Sequence, residues 1–127
     1  MPGDLIELAM RADRVRAHLH PDGIVTYCLE EPEGLPAEAA IRPAWQPGMT
    51  GVEYLSLVAQ CRLESSVAHV EVDWRATGMK VAQLALRFGA DDFGYVAGHE
   101  EDVRRLIRDA GFIPKRRSSD YTSLSLG

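Results

Sequence analysis

Cysteine is scarce in this chain of 127 residues: Cys28 and Cys61 are the only two. They stand far apart and show no metal-ligand spacing, so neither a disulfide scaffold nor a cysteine-built metal site is expected. Buried free thiols in a reducing compartment are the reading. Long apolar runs are missing too. No stretch approaches the ~20 apolar residues of a membrane span, so no membrane is expected as a partner. The start, MPGDLIELAMRAD, carries acids from Asp4 and has no apolar centre, so it does not read as a signal peptide. A cytoplasmic location is the default that follows. Positive charge is in deficit: 14 Lys and Arg face 19 Asp and Glu, a net charge of -5. That balance argues against nucleic acid as a partner. The basic cluster Lys115-Arg116-Arg117 reads as a solvated face or tail.

What is present suits a single domain over residues 1–127, with 46% hydrophobic and 26% charged residues. Leu5, Leu8, Ala9, Ala12, Val15 and Leu19 recur at helical spacing and predict a helix over 4–19. GIVTYCLE (23–30) reads as a strand, and AIRPAW (40–45) as a weaker one, because Pro43 lies inside it. Between them, 31–40 is a linker with two prolines. Thr50 and Glu53 form a capping box before the stripe Val52, Leu55, Val58 and Cys61. AHVEVDW (68–74) alternates and predicts a strand. Lys80 to Phe88 predicts a helix stopped by Gly89, DDFGYV (91–96) a short strand, and 100–110 a last helix stopped by Gly111. Residues 113–127 read as an irregular tail. There is no internal repeat.

Strands alternating with helices imply a parallel sheet with right-handed crossovers. The expected fold class is therefore α/β, a four-stranded parallel (β/α)4 half barrel with an extra N-terminal helix. Four strands alone leave two open edges and an uncovered inner face. Two copies related by a twofold axis would close a (β/α)8 barrel, so a homodimer is expected. A different protein supplying the missing strands is the other solution. The linker 31–40 is the weak point, being near the lower limit for a crossover between neighbouring strands.

Three pieces are more specific: TGVEYLSLVAQCRL, VDWRATGMKVAQLALRFGADDFG and RLIRDAGFIPKRRSSDY. They resemble consecutive parts of one radical-SAM family, which holds the dehypoxanthine futalosine cyclase and aminofutalosine synthase of menaquinone biosynthesis and the deazaflavin-forming synthases. RADRVRAHLHPDGIVTYCLE resembles that family's first helix and first barrel strand, and IRPAWQP its sixth strand. The departures matter as much. The family's first strand leads into a loop with a CxxxCxxC set that holds an iron–sulfur cluster and S-adenosylmethionine. CLEEPEGLPAEAA stands there instead, and Cys28 alone cannot hold a cluster that needs several thiolates. The region of strands two to five has no counterpart in this chain. Radical chemistry is excluded by ligand count, and no cofactor is expected.

In HVEVDW, His69, Glu71 and Asp73 alternate with Val70, Val72 and Trp74, so only one set faces the barrel interior. The family has mainly uncharged polar residues at the Glu71 and Asp73 positions. The resemblance implies that those positions face inward. Two carboxylates inside a barrel raise one another's pKa, the usual route to a general acid or base. The catalytic candidates are thus Asp73, Glu71 and His69. The plain alternative is that the acids pair with Arg42 or with interior water. Tyr27, Glu30, Arg42, Trp45, Gln46, Trp74 and Tyr95 lie near strand carboxyl ends, where barrels bind ligands, and are the ligand-binding candidates. Core packing is the competing role for each aromatic. A metal at His69, Glu71 and Asp73 has no diagnostic spacing, and no metal site is assigned. His20 and His99 sit in turns and are expected to be exposed. Asp91 and Asp92 open the last strand and are expected to cap or brace the barrel floor against Arg87.

The functional expectation is a cytoplasmic protein that binds a small aromatic or nucleoside-like metabolite. Two rival roles follow: a cofactor-free acid–base enzyme of isomerase, cyclase or lyase type, or a non-catalytic partner of a larger biosynthetic enzyme.

Overall fold

The computed structural model describes residues 2–124. Its elements run α1 (Pro2–Leu19), β1 (Ile24–Cys28), β2 (Ala40–Ile41), α2 (Gly51–Glu64), β3 (His69–Val70), α3 (Trp74–Thr77), α4 (Met79–Ala85), a 3-10 turn (Leu86–Phe88), β4 (Asp92–Tyr95), α5 (Glu100–Asp109) and β5 (Ile113–Arg116). The fold is mixed α/β with parallel strands throughout. β1 lies between β4 and β5, and β2 pairs with β3. The two groups are joined. Asp91 N–H donates to Val70 O at 3.1 Å and Val72 N–H to Asp92 O at 2.8 Å, and Glu71 bridges Asp92 in parallel. The spatial order is β2-β3-β4-β1-β5.

This order corrects two expectations. The tail beginning at residue 113 is not irregular: Ile113–Arg116 is a fifth strand beside β1. Its proline and charges are those of an edge strand. Ile113 N–H donates to Gly23 O at 2.9 Å and Arg117 N–H to Tyr27 O at 2.8 Å, so Pro114 falls where the strand's N–H points away from β1. Nor does β1 lie beside β2. The 31–40 linker avoids a tight crossover because it runs instead to the far edge of the sheet.

Helix ends follow local chemistry. Thr50 and Glu53 close the capping box of α2, with Glu53 N–H donating to Thr50 Oγ1 at 3.1 Å and Thr50 N–H to Glu53 Oε1 at 2.8 Å. Gly89 ends the 3-10 turn with φ 104, and any Cβ there would stand 2.8 Å from Arg62 Cβ. The apolar core lies between the sheet and its helices. Val25, Tyr27, Val70, Val72 and Phe93 meet Leu55, Val58, Ala82, Leu86, Val103 and Ile107. The other face is polar, with Thr26, Glu71, Asp92 and Arg117 buried on it. No helix among the described residues is long and apolar enough to cross a membrane.

Candidate functional site

A cleft of about 710 Å³ opens where the carboxyl ends of β2, β3 and β4 meet the 31–35 linker. Its lining includes Arg42, Glu71, Asp73, Trp74, Arg75 and Tyr95. A bulge shapes this end. Thr26 pairs with Asp92 but Cys28 with Tyr95, so β4 spends one extra residue and Tyr95 comes opposite Cys28. Gly94, at φ 72, makes the bulge possible. Trp74 donates its indole N–H to Tyr95 O at 3.1 Å. The Arg75 guanidinium lies 4.7 Å from the Trp74 ring centre and 5.4 Å from that of Tyr95.

The two interior acids differ in environment. Glu71 is 4% exposed and tied down at both oxygens. Oε1 accepts from Arg42 Nε at 3.0 Å and Oε2 from the Tyr121 hydroxyl at 2.7 Å. Burial, then the charge of Asp92, push its pKa above the usual carboxylate value, while Tyr121 and Arg42 oppose the rise. Asp73 is half-buried on the cleft wall. Its backbone N–H donates to the Tyr54 hydroxyl at 3.0 Å, and its carboxylate takes no protein hydrogen bond or ion pair among the described residues. Burial pushes the Tyr54 hydroxyl up to about 12, so it remains a donor, and it donates to Pro43 O at 2.8 Å.

Below Glu71 the polar face is closed by the segment after β5. Arg117 grips Asp92 with two bonds, Nε to Oδ2 at 2.6 Å and Nη2 to Oδ1 at 2.8 Å. Burial works to discharge Arg117, but Asp92 outweighs it and holds the guanidinium above its ordinary pKa. Asp92 also accepts from the Thr26 hydroxyl and from Gly94 N–H at 2.6 Å. Tyr121 packs against the Arg117 guanidinium, 3.6 Å from its ring centre, and stacks on the His69 ring with centres 4.6 Å apart. It has φ 68, the one positive value among the described residues other than glycine.

The candidates read from the sequence therefore separate. Arg42, Glu71, Asp73, Trp74 and Tyr95 share the cleft. His69 does not join them; its ring sits at the opposite end of the sheet, with Nδ1 2.6 Å from Asp91 Oδ2. Tyr27 points to the helix side, where its hydroxyl donates to Glu100 at 2.6 Å and accepts from Arg104 at 2.7 Å. Trp45 packs on Tyr54 with ring centres 5.7 Å apart. Gln46 turns the chain, its carbonyl accepting from Met49 N–H at 3.0 Å. Glu30 lines a separate surface hollow. Arg75 and Tyr121 went unpredicted, and Arg117, expected with Lys115 and Arg116 on a solvated face or tail, is instead buried against Asp92. Arg75 had a signal, its position beside Trp74; Tyr121 had none.

Asp91 and Asp92 brace the sheet, but not against Arg87. Asp91 pairs with Arg62 at 2.7 Å, while Arg87 donates to Ala110 O at 2.8 Å. His20, expected in solvent, has a side chain only 17% exposed and lies 3.3 Å from Asp91. Among the described residues, the metal-compatible group is His20, His69 and Asp91, not His69 with Glu71 and Asp73.

Comparison with known proteins agrees with the motifs. The chain is 34% identical over 87 residues to cyclic dehypoxanthine futalosine synthase of Streptomyces coelicolor, covering 57% of this chain and 22% of that protein. It is 40% identical over 93 residues to aminodeoxyfutalosine synthase of the same organism, 59% of this chain and 24% of the relative. The similarity to these enzymes extends over about three fifths of this chain. A third, 5-amino-6-(D-ribitylamino)uracil–L-tyrosine 4-hydroxyphenyl transferase of Methanothermobacter thermautotrophicus, is 32% identical over 96 residues, 61% of this chain and 26% of the enzyme. The chain thus spans about a quarter of the length of the curated relatives it matches. No family model and no solved structure matches it. The residues here do not fit an iron–sulfur cluster of the radical-SAM kind. Two cysteines are too few, and burial raises the pKa of both thiols, away from the thiolate such a ligand needs.

Proposed function

We propose that the cleft at the carboxyl end of the sheet binds a small, flat metabolite without radical chemistry. The observation that carries the reading is the juxtaposition of Asp73, a carboxylate with no protein partner among the described residues, with the Trp74–Arg75–Tyr95 stack in one cleft. A planar ring stacks against that wall, Asp73 accepts its N–H or O–H groups, and Arg42 and Arg75 meet anionic ones. One relative's name includes uracil and tyrosine, which supports a flat ring. Asp73 is also the group placed to move a proton to or from the ligand, as in an isomerase, cyclase or lyase step. Glu71 holds Arg42 and the cleft floor. This refines the pair of acids into one reactive and one structural carboxylate.

The test is quenching of tryptophan fluorescence with tyrosine, uracil and adenosine as probes. At least one probe is expected to bind, and Asp73→Asn to weaken it about tenfold or more, the cost of one charged hydrogen bond. Probes that bind equally well to Asp73→Asn would sink the assignment.

The clamping of Glu71 favours a second reading, a non-catalytic partner of a larger biosynthetic enzyme. That reading predicts co-purification with such an enzyme and no turnover with any probe. Closure of a barrel by a second copy is proposed for the open edges β2 and β5. Light scattering that finds twice 14.0 kDa supports it, and a stable monomer rejects it.

A further inference from the structure

At the amino end of the sheet, three potential ligands converge from distant parts of the chain. Asp91 is 1% exposed. Its Oδ1 is committed, accepting from Arg62 Nη2 and from Val70 N–H, both at 2.7 Å. Oδ2 is thereby aimed at two imidazoles, with His69 Nδ1 at 2.6 Å and His20 Nε2 at 3.3 Å. The three ligand atoms lie within 4.8 Å of one another. The imidazoles stack with ring centres 5.1 Å apart. Both reach a second cleft, of about 310 Å³, which Asp22, Thr26 and Tyr121 also line.

We propose that His20, His69 and Asp91 form a binding site for a divalent transition-metal ion of the zinc type. Two imidazoles and one carboxylate with an open position suit Zn²⁺ and its neighbours in the first row. Ligand bonds near 2.0–2.1 Å place donor atoms about 3.3 Å apart on a tetrahedral edge. The His20–Asp91 separation already matches this, and the His69–Asp91 edge must widen by about 0.7 Å. Binding exchanges the protons now carried between the ring nitrogens and Asp91 for one ion, so it releases protons and needs neutral imidazoles.

The outer contacts are those of a prepared site. Arg62 and Val70 fix the carboxylate plane, and Tyr121 fixes the His69 ring from its far face. Ala68 O accepts from His20 Nε2–H at 2.6 Å and from Arg62 Nη1 at 3.0 Å. Metal binding replaces the first of these bonds, and Arg62 keeps Ala68 O partnered. Of the nearby guanidiniums, Arg117 is neutralised by Asp92, while Arg62 shares the Asp91 carboxylate with the ion, one oxygen each. All three side chains line the second cleft, which has room for a water or an anion as a fourth ligand.

The full chain, stripped with a chelator, is titrated with Zn²⁺ by calorimetry and with Co²⁺ by visible absorption. One ion per chain is expected, with cobalt bands of a four-coordinate nitrogen–oxygen site. His20→Gln and His69→Ala should each weaken binding at least tenfold, while Cys61→Ser leaves it unchanged. His20 lies in a turn after α1, so its variant keeps the buried Asp91–Arg62 pair and is expected to fold, as its melting curve will report. Absence of stoichiometric binding overturns the proposal, and so does unchanged affinity in both histidine variants.

Discussion

Glu71 lies over the α-carbon of Gly94, so close that a Cβ built there would stand 2.8 Å from the Glu71 carboxyl carbon. The glycine serves two needs at once, a positive φ at the bulge and room for a carboxylate that three partners hold in place. Gly94→Ala therefore forces a methyl group into an occupied space on a disfavoured backbone. It should cost about 2–4 kcal/mol by urea unfolding. Removing the obstacle tests the cause. Glu71→Ala combined with Gly94→Ala should cost at least ~1 kcal/mol less than the two changes summed. Additive costs would separate the two residues.

Arg117 is the second buried fixture of this face. It is the partner that neutralises Asp92, which is 0% exposed. Arg117→Met leaves that carboxylate buried without its cation, and a loss of about 3–5 kcal/mol is expected. The neighbouring Arg116 pairs with Glu100 at the surface at 2.9 Å. Arg116→Met should leave the urea midpoint nearly unchanged, because solvent screens that pair. Equal effects of the two substitutions would contradict the placement of Arg117 inside the fold and Arg116 at its surface.

That strand also marks where sequence reading stops. The helices were legible because their signals are local. Thr50 and Glu53 cap α2 within four residues, and Gly89 stops its turn by its own φ. The alternation in HVEVDW correctly separates Val70 and Val72, which enter the core, from Glu71, which does not. Ile113–Arg116 was hidden because Pro114 and the run Lys115-Arg116-Arg117 resemble a tail when no neighbour is known. Strand order was hidden for a similar reason, since periodicity states that a strand exists and not which strand it joins. At the site, Arg42 after β2, Glu71, Asp73 and Trp74 after β3, and Tyr95 at the end of β4 share one cleft, as their places near strand ends suggested. Tyr27 did not, because its side chain takes the helix face of the same strand and meets Glu100. The grouping of His20 with Asp91 depends on how α1 enters β1, which no local pattern encodes.

The Tyr27–Glu100 contact gives a pH signature. The Tyr27 hydroxyl bond first, with Arg116 assisting against slight desolvation, holds Glu100 below its ordinary pKa of 4.5. A carboxylate with a depressed folded pKa stabilises the fold above its unfolded value. That contribution fades as pH falls from about 4.5 through the depressed folded value. Tyr27→Phe should raise the Glu100 midpoint in an NMR titration of side-chain carboxyls. Glu100→Gln should flatten the acid limb of the stability curve in the same window. An unshifted midpoint in Tyr27→Phe would assign the depression to Arg116 instead.

Arg75 separates ligand binding from folding. Its side chain is exposed and rests on the Trp74 and Tyr95 rings at the cleft wall. Arg75→Ala should change stability by less than about 0.5 kcal/mol, as for a surface site away from buried networks. If a planar ligand stacks on that wall, removing the guanidinium should weaken it about two- to fivefold, the range for an exposed cation over a ring. Trp74→Leu removes the stacking surface itself and the bond to Tyr95 O, so it should lower affinity further and also lower the melting temperature. The ratio between the variants carries the information. An Arg75→Ala protein with full stability and unaltered affinity would place the ligand off the aromatic wall, on the Asp73–Arg42 side of the cleft.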